Sequence, residues 1–173
     1  VVLPALAAFI GQLTGLQYLD LIDLLALETK GMKEVASHLS KLTHLRHLGL
    51  SGLVNGHDEA SVQALCQILQ VVPHLTCLRL PWSGDVPTNG FNPEAIVKLC
   101  SPISQMSGLT HLDLSGSFLD ESSMKALGEV LAHLPLIHLI LDGTRWDMSG
   151  FEVLLTQFEK WAHLKALRLS NVG

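Results

Sequence analysis

The segment Leu109-Thr110-His111-Leu112-Asp113-Leu114 carries leucine at its first, fourth and sixth positions. The same LxxLxL pattern stands at Leu16-Leu19-Leu21, Leu45-Leu48-Leu50, Leu75-Leu78-Leu80, Leu136-Leu139-Leu141 and Leu164-Leu167-Leu169. Successive starts are 29, 30, 34, 27 and 28 residues apart. Six copies at a nearly constant period mark a repeat architecture, built from one supersecondary unit stacked on its like. Within each copy, alternate residues of a short strand point to opposite faces. The leucines therefore face a core and the residues between them face out.

Between strands the spacing becomes helical. Aligned on the last helix leucine, one column reads Leu39, Leu69, Ile103, Leu131, Phe158; four residues earlier stand Val35, Leu65, Leu99, Leu127, Leu154. Seven earlier stand Met32, Val62, Ile96, Met124, Phe151. Residues three and four apart share one helix face, so these columns predict a buried stripe. Just before the third column are Gly31, Ser61, Ala95, Ser123 and Gly150, all small enough for the helix start to approach the neighbouring coil closely.

Each unit is thus a strand followed by a crossover helix, and no unit buries its leucine face alone. Stacking gives a parallel sheet with helices on one side and a continuous core. The helix layer is bulkier than the strand layer, so the expected shape is a curved α/β horseshoe with its sheet on the concave face and helices on the convex face. Residues 1–173 read as a single repeat array of about five full units, a partial N-terminal unit and a terminal strand. Leu6, Ile10 and Leu13 stand at core spacing in that partial unit. Val1-Val2-Leu3-Pro4 is neither an initiator start nor a signal peptide, and neither end offers a polar cap, so a longer parent protein is expected.

The pattern, its 27–30-residue period and the small residue before each helix resemble the ribonuclease-inhibitor-like class of leucine-rich repeats, most of all the repeat region of animal NOD-like receptors. The resemblance covers essentially the whole chain. It implies a protein-interaction or regulatory domain of a larger cytosolic receptor, sensing a ligand or holding a nucleotide-binding module inactive in innate immunity. That class usually places Asn or Cys three residues after the LxL; here the position holds Leu24, Leu53, Ser83, Ser117, Thr144 and Val172. The ladder is missing or replaced by hydroxyls, which fits the looser receptor repeats better than the inhibitor.

Composition narrows the function. Apolar residues make up 48% and charged residues 16%, and the formal charge is −5. That balance excludes a general nucleic-acid binder, which needs a basic stripe to neutralise phosphates. No apolar run reaches the roughly 18 residues of a membrane span. Cys66, Cys77 and Cys100 are odd in number and lack CxxC spacing, so neither a disulfide framework nor a structural zinc site is expected. Free thiols point to the cytoplasm.

Function is expected on the outward strand positions. One column holds Tyr18, His47, Cys77, His111, His138 and Ala166; the next holds Asp20, Gly49, Arg79, Asp113, Ile140 and Arg168; then come Ile22, Ser51, Pro81, Ser115, Asp142 and Ser170. Aromatic rings, imidazoles and both charge signs suit specific docking of a protein partner or another domain of the same chain. The expected partner-binding residues are Tyr18, Asp20, His47, Arg79, Trp82, His111, Asp113, His138 and Arg168. Taken singly, each reads equally well as an ordinary solvated position.

Cys77, His111 and His138, with His47 beyond, invite a metal. Strands stand about 4.8 Å apart, so four such ligands span too far for one tetrahedral ion and no metal is expected. A pH-responsive pair at His111 and His138 is an alternative. His44, His74 and His163 recur before the first strand leucine and read as turn-packing groups. Phe91, Trp146 and Trp161 align with core positions. Trp82 opens a segment, Leu80 to Phe91, of 11 residues where the next two repeats use five. It either anchors a partner or folds back over its own loop.

No GxGxxG, P-loop, HExxH or GxSxG motif is present, and an open sheet lacks a water-excluding pocket, so no catalysis or cofactor is expected. Rival readings are an enzyme inhibitor or scaffold of the ribonuclease-inhibitor type, a small-GTPase regulator, and a structural spacer.

Overall fold

The computed structural model describes residues 2–22, 29–51, 55–82 and 90–171. The outward-alternating centres of the leucine patterns form strands β1 (Tyr18–Ile22), β2 (His47–Ser51), β3 (Cys77–Arg79), β4 (His111–Asp113), β6 (His138–Ile140) and β8 (Ala166–Arg168). They make one six-stranded sheet in the order β1-β2-β3-β4-β6-β8, every neighbour parallel. Helices α1 (Val2–Ile10), α2 (Thr29–Leu39), α3 (Glu59–Gln70), α4 (Pro93–Ser104), α5 (Glu121–Leu131) and α6 (Met148–Gln157) connect the strands, each packing on the next. A short ladder pairs β5 (Phe118–Leu119) with β7 (Arg145–Trp146) after the main strands.

The core lies between the two layers. Leu45, Leu48, Leu75, Leu78, Leu109, Leu112 and Leu139 are almost fully excluded from solvent, as are Met32, Leu65, Ile96 and Met124 from the helices. At about 1.5–3 kcal/mol for each fully buried leucine-sized side chain, this repeated contact opposes the entropy of ordering the chain.

The helix starts show why the small position is small. Asp58, Asn92, Asp120 and Asp147 cap α3 to α6, accepting from the backbone N–H of Ser61, Ala95, Ser123 and Gly150 at 2.9, 2.8, 2.8 and 2.6 Å. The same residues press on the preceding coil: a Cβ at Gly150 would stand 2.6 Å from the Leu119 carbonyl oxygen. One position thus serves both cap and stacking.

After the strands the chain turns through left-handed backbone, with φ of +77° at Gly116, +64° at Gly143 and +54° at Asn171. Glycine and asparagine tolerate this region. At the position of the missing ladder, buried Thr144 donates its hydroxyl to the Leu141 carbonyl at 2.7 Å and ties its own turn. Ser117 is equally buried, but its hydroxyl makes no hydrogen bond among the described residues. Leu24, Leu53, Ser83 and Val172 lie outside the described residues.

Some core expectations need correction. Phe151 and Phe158 are each 38% exposed, whereas their column mates in α2 to α5 are buried. No unit packs beyond α6 to cover them among the described residues; they make edge contacts with Trp146 and Trp161 instead. Leu13 is exposed for the same reason at the other flank. Phe91 and Trp161 are core as expected, and Trp161 Nε1 donates to the Gly128 carbonyl at 3.3 Å. Trp146 is half-buried against the core. His44 and His74 reach the Thr14 and Leu42 carbonyls of the preceding unit at 3.2 and 3.1 Å, a stitching role between turns; His163 shows no such contact among the described residues.

Candidate functional site on the open sheet face

Strand register sets the outer columns. Tyr18, His47, Cys77, His111, His138 and Ala166 pair in sequence across the sheet, as do Asp20, Gly49, Arg79, Asp113, Ile140 and Arg168. Among the described residues, helices cover only the leucine side, so these columns form an open face.

Its first half is one connected network. The Tyr18 ring stacks on His47 with centroids 3.8 Å apart and planes 13° from parallel, and its hydroxyl donates to Asp20 Oδ2 at 2.5 Å. Asp20 reaches sideways because Gly49 has no side chain beside it: a Cβ there would stand 1.5 Å from Asp20 Oδ1. His47 Nε2 lies 3.6 Å from Asp20 Oδ1, a charge contact longer than a hydrogen bond. Arg79 bridges Asp20, two strands away on β1, and Asp113 on the neighbouring β4, with Nη1 3.5 Å from Asp20 Oδ2 and Nε 3.7 Å from Asp113 Oδ2. Asp113 is nearly buried and is fixed by Ser115, whose N–H and hydroxyl donate to its Oδ1 at 3.1 and 2.6 Å.

Electrostatics follow from these contacts. Donation to the Asp20 carboxylate holds the Tyr18 phenol above its ordinary pKa. Burial pushes His47 below the ordinary histidine value, with Asp20 opposing. Burial also raises the Cys77 thiol.

In the second half, His111 and His138 stack with centroids 4.3 Å apart and planes 28° from parallel. His111 titrates low because it is partly buried, and then because a second imidazole lies over it. Thr110 Oγ1 is 2.8 Å from His111 Nδ1. At the far end Arg168 Nη2 meets Asp142 Oδ2 at 2.6 Å, and Asp142 Oδ1 accepts from the Ser170 N–H and hydroxyl. These hydrogen bonds from Ser170 lower the Asp142 pKa.

Of the nine expected residues, Tyr18, Asp20, His47, Arg79 and Asp113 thus meet in one network, and His111 and His138 in a stack. Arg168 stands apart with Asp142. Trp82 sits at the strand-end rim, half-buried, its N–H donating to the Ser115 carbonyl at 2.9 Å and its Cβ pressed on Gly116. Residues 83–89, which follow it, lie outside the described residues. The sequence reading missed Ser115, Asp142 and Ser170 as anchors of the charged groups, although the Asp113-Leu114-Ser115 spacing allows the side chain to accept from the backbone two residues on. The column His47, Cys77, His111, His138 runs in line and does not converge; among the described residues no group of three or more histidine, cysteine or acidic side chains is placed to hold a metal ion. All three cysteines are free thiols. No described helix is long and apolar enough to cross a membrane.

No protein-family model matches the chain. It is similar to NLR family CARD domain-containing protein 4 of Bos taurus, 26% identical over 151 residues, which cover 85% of this chain and 14% of that protein. The chain therefore spans about one seventh of this relative's length. Among solved structures, the tropomodulin C-terminal domain of Caenorhabditis elegans superposes with a TM-score of 0.69 at 10% identity, covering 94% of this chain and 93% of that one. Leiomodin-1 actin-binding site 2 gives 0.61 at 11% identity over 91% and 86%. TLR13 in its complex with ssRNA13 gives 0.59 at 21% identity over 94% of this chain and 20% of that one. The two-layer stack read from six leucine triplets has the leucine-rich-repeat-like fold of these proteins.

Proposed function

We propose that this chain is a protein-interaction and regulatory domain of a larger cytosolic receptor of the NOD-like kind, working in innate immunity. In this reading residues 1–173 are one stretch of a longer, curved repeat array, and the open sheet is its concave binding face. The face either senses a ligand or holds another domain of the same chain inactive. It has no catalytic role, since an open sheet cannot exclude water around a reacting group.

One observation carries the proposal: the Tyr18–Asp20–Arg79–Asp113 network is held in place on a surface that, among the described residues, no helix covers. Tyrosine and arginine are the residues that most often dominate binding energy, and pre-set side chains lose less entropy on docking. The distant NOD-like relative supports the choice of receptor class.

The test is affinity capture from cytosol with three forms of the protein, checked first by circular dichroism. One is unaltered, one carries Tyr18→Ala, Arg79→Glu and His111→Ala on the sheet face, and one carries Lys98→Glu on the helical side. Specific proteins retained by the first and third forms and lost by the second support the reading. Equal recovery by all three overturns it. Purified actin is included as a separate probe, because leiomodin-1 actin-binding site 2 shares the fold; specific capture of actin alone favours a scaffold over a receptor domain.

A further inference from the structure

Arg79 is held unlike two other arginines beside the sheet. Arg46 donates to the Thr43 and Leu45 carbonyls at 3.1 and 3.0 Å, and Arg168 lies 2.6 Å from Asp142. Arg79 stands between two carboxylates yet donates a hydrogen bond to neither: 3.5 Å to Asp20 and 3.7 Å to Asp113 are contacts of charge alone. Other donors orient those carboxylates, the Tyr18 hydroxyl at Asp20 and the Ser115 N–H and hydroxyl at Asp113. The guanidinium is thus compensated in charge while its N–H donors stay unspent on these partners. It is also the accessible member of the cluster, its side chain 42% exposed against 18% and 8% for the two carboxylates.

A surface of a different kind lies one strand away. His111 and His138 stack on neighbouring strands, with Cys77 beside His111 on β3, and the His111 ring is exposed. Histidine is mostly neutral above about pH 6.5, and burial holds His111 lower still. At neutral pH the stack is therefore an uncharged aromatic shelf. Arg79 stands one strand over and two residues along from His111. Strand spacing and rise put the two about 8 Å apart, the span of about two residues of extended chain. Both features lie on β3, β4 and β6, strands paired on either side, so their setting does not depend on where the sheet begins or ends.

Granted the protein-binding role proposed for the open face, we infer that its central contact is an uncharged, extended stretch of a partner's chain, which gives a main-chain carbonyl to Arg79 and an aromatic side chain to the His111–His138 shelf. Charge decides against the alternatives. A partner carboxylate about 3 Å from Arg79 would stand about 6 Å from two negative charges; Coulomb energy falls as 1/r, so two repulsions cancel the one attraction. A partner lysine or arginine would meet the exposed guanidinium before the less accessible carboxylates. A carbonyl oxygen takes the unspent donors without adding charge, and a hydrogen bond from guanidinium is among the stronger kinds. An aromatic side chain gains both buried area and ring–ring contact on the shelf.

Proton NMR of the His111 and His138 Cε1–H signals at neutral pH, with four short blocked peptides as probes, tests this. All share a glycine-serine frame: one carries a central tryptophan, one tryptophan beside glutamate, one tryptophan beside lysine, and one no aromatic residue. The tryptophan peptide is expected to shift both signals and to bind more tightly than the other three. Arg79→Ala should weaken it about tenfold, as loss of one hydrogen bond to a charged donor does. Arg79→Lys, which keeps the charge and loses the fork, should weaken it too. Circular dichroism checks that both variants stay folded. Equal or tighter binding of the glutamate or lysine peptide overturns the inference, as does tryptophan-peptide binding that both Arg79 variants leave unchanged. Absence of any shift overturns it as well. Cytosolic capture judges the face's role separately: capture lost by the sheet-face variant, with no peptide shift, removes the partner chemistry and keeps the interaction role. Peptide binding as expected, with capture the same in all forms, does the reverse.

Discussion

Asp20 occupies the space that a side chain at Gly49 would fill: its Oδ1 stands 1.5 Å from the point where a Cβ would be built. The carboxylate can lie across β2 only because that position is glycine, and from there it meets Tyr18, His47 and Arg79. A backbone choice on one strand therefore organises side chains from three.

Tyr18 is the sole tyrosine in the chain, so its ionisation can be followed directly by ultraviolet absorbance. It is expected to titrate above the ordinary 10.0, because ionising it loses the bond to Asp20 and sets two negative charges together. Gly49→Ala and Asp20→Asn should each bring the value back toward 10. A raised folded value means that the stability it contributes is complete below the unfolded pKa and is lost as pH rises through the folded one. An unaltered titration curve in Gly49→Ala would show that Asp20 does not depend on the glycine.

His111 is expected to titrate below 6.5, by burial first and by His138 second. His138→Asn should move it upward, measured by proton NMR of the imidazole Cε1–H. With the folded value depressed, the linked stability is present above pH 6.5 and is lost as pH falls from there through the folded value.

Arg79 contacts two carboxylates at 3.5 and 3.7 Å while remaining partly exposed. Such screened pairs contribute about 0–1 kcal/mol. Arg79→Ala should accordingly change chemical-denaturation stability by less than about 1 kcal/mol, leaving loss of partner binding as its main effect.

The core and the helix starts should respond more strongly. Leu112 is completely enclosed between β3, β6 and the helices, so Leu112→Ala is expected to cost about 2–5 kcal/mol by cavity formation. Asp120→Ala removes the acceptor for the Ser123 N–H and should cost about 1 kcal/mol. Urea titration separates the two; equal losses would mean that the cap holds more than its own helix.

The leucine period was enough to place every strand of the main sheet and its register, because a two-residue alternation admits one inward face. The helix caps were harder to read. Asp58, Asn92, Asp120 and Asp147 stand three residues before the small position, but a cap is recognised by backbone direction, which periodicity does not contain. Phe151 and Phe158 were misplaced because column alignment supposes a following unit, and exposure depends on what lies beyond α6. On the open face the sequence columns correctly made Asp20, Gly49 and Arg79 neighbours. They could not show that Asp20 leans into the glycine's space and that Ser115 fixes Asp113, since side-chain direction follows from contacts with the neighbouring strand and with the chain just beyond the strand, which column position does not contain.

The most direct test of the central claim is hydroxyl-radical footprinting of the chain alone and with a partner captured from cytosol. Binding through the open sheet predicts protection of Tyr18, His111 and His138, with Val97 and Leu155 on the helical side unchanged. Protection confined to the helical side, with Tyr18 and both histidines as reactive as in the free chain, would contradict it.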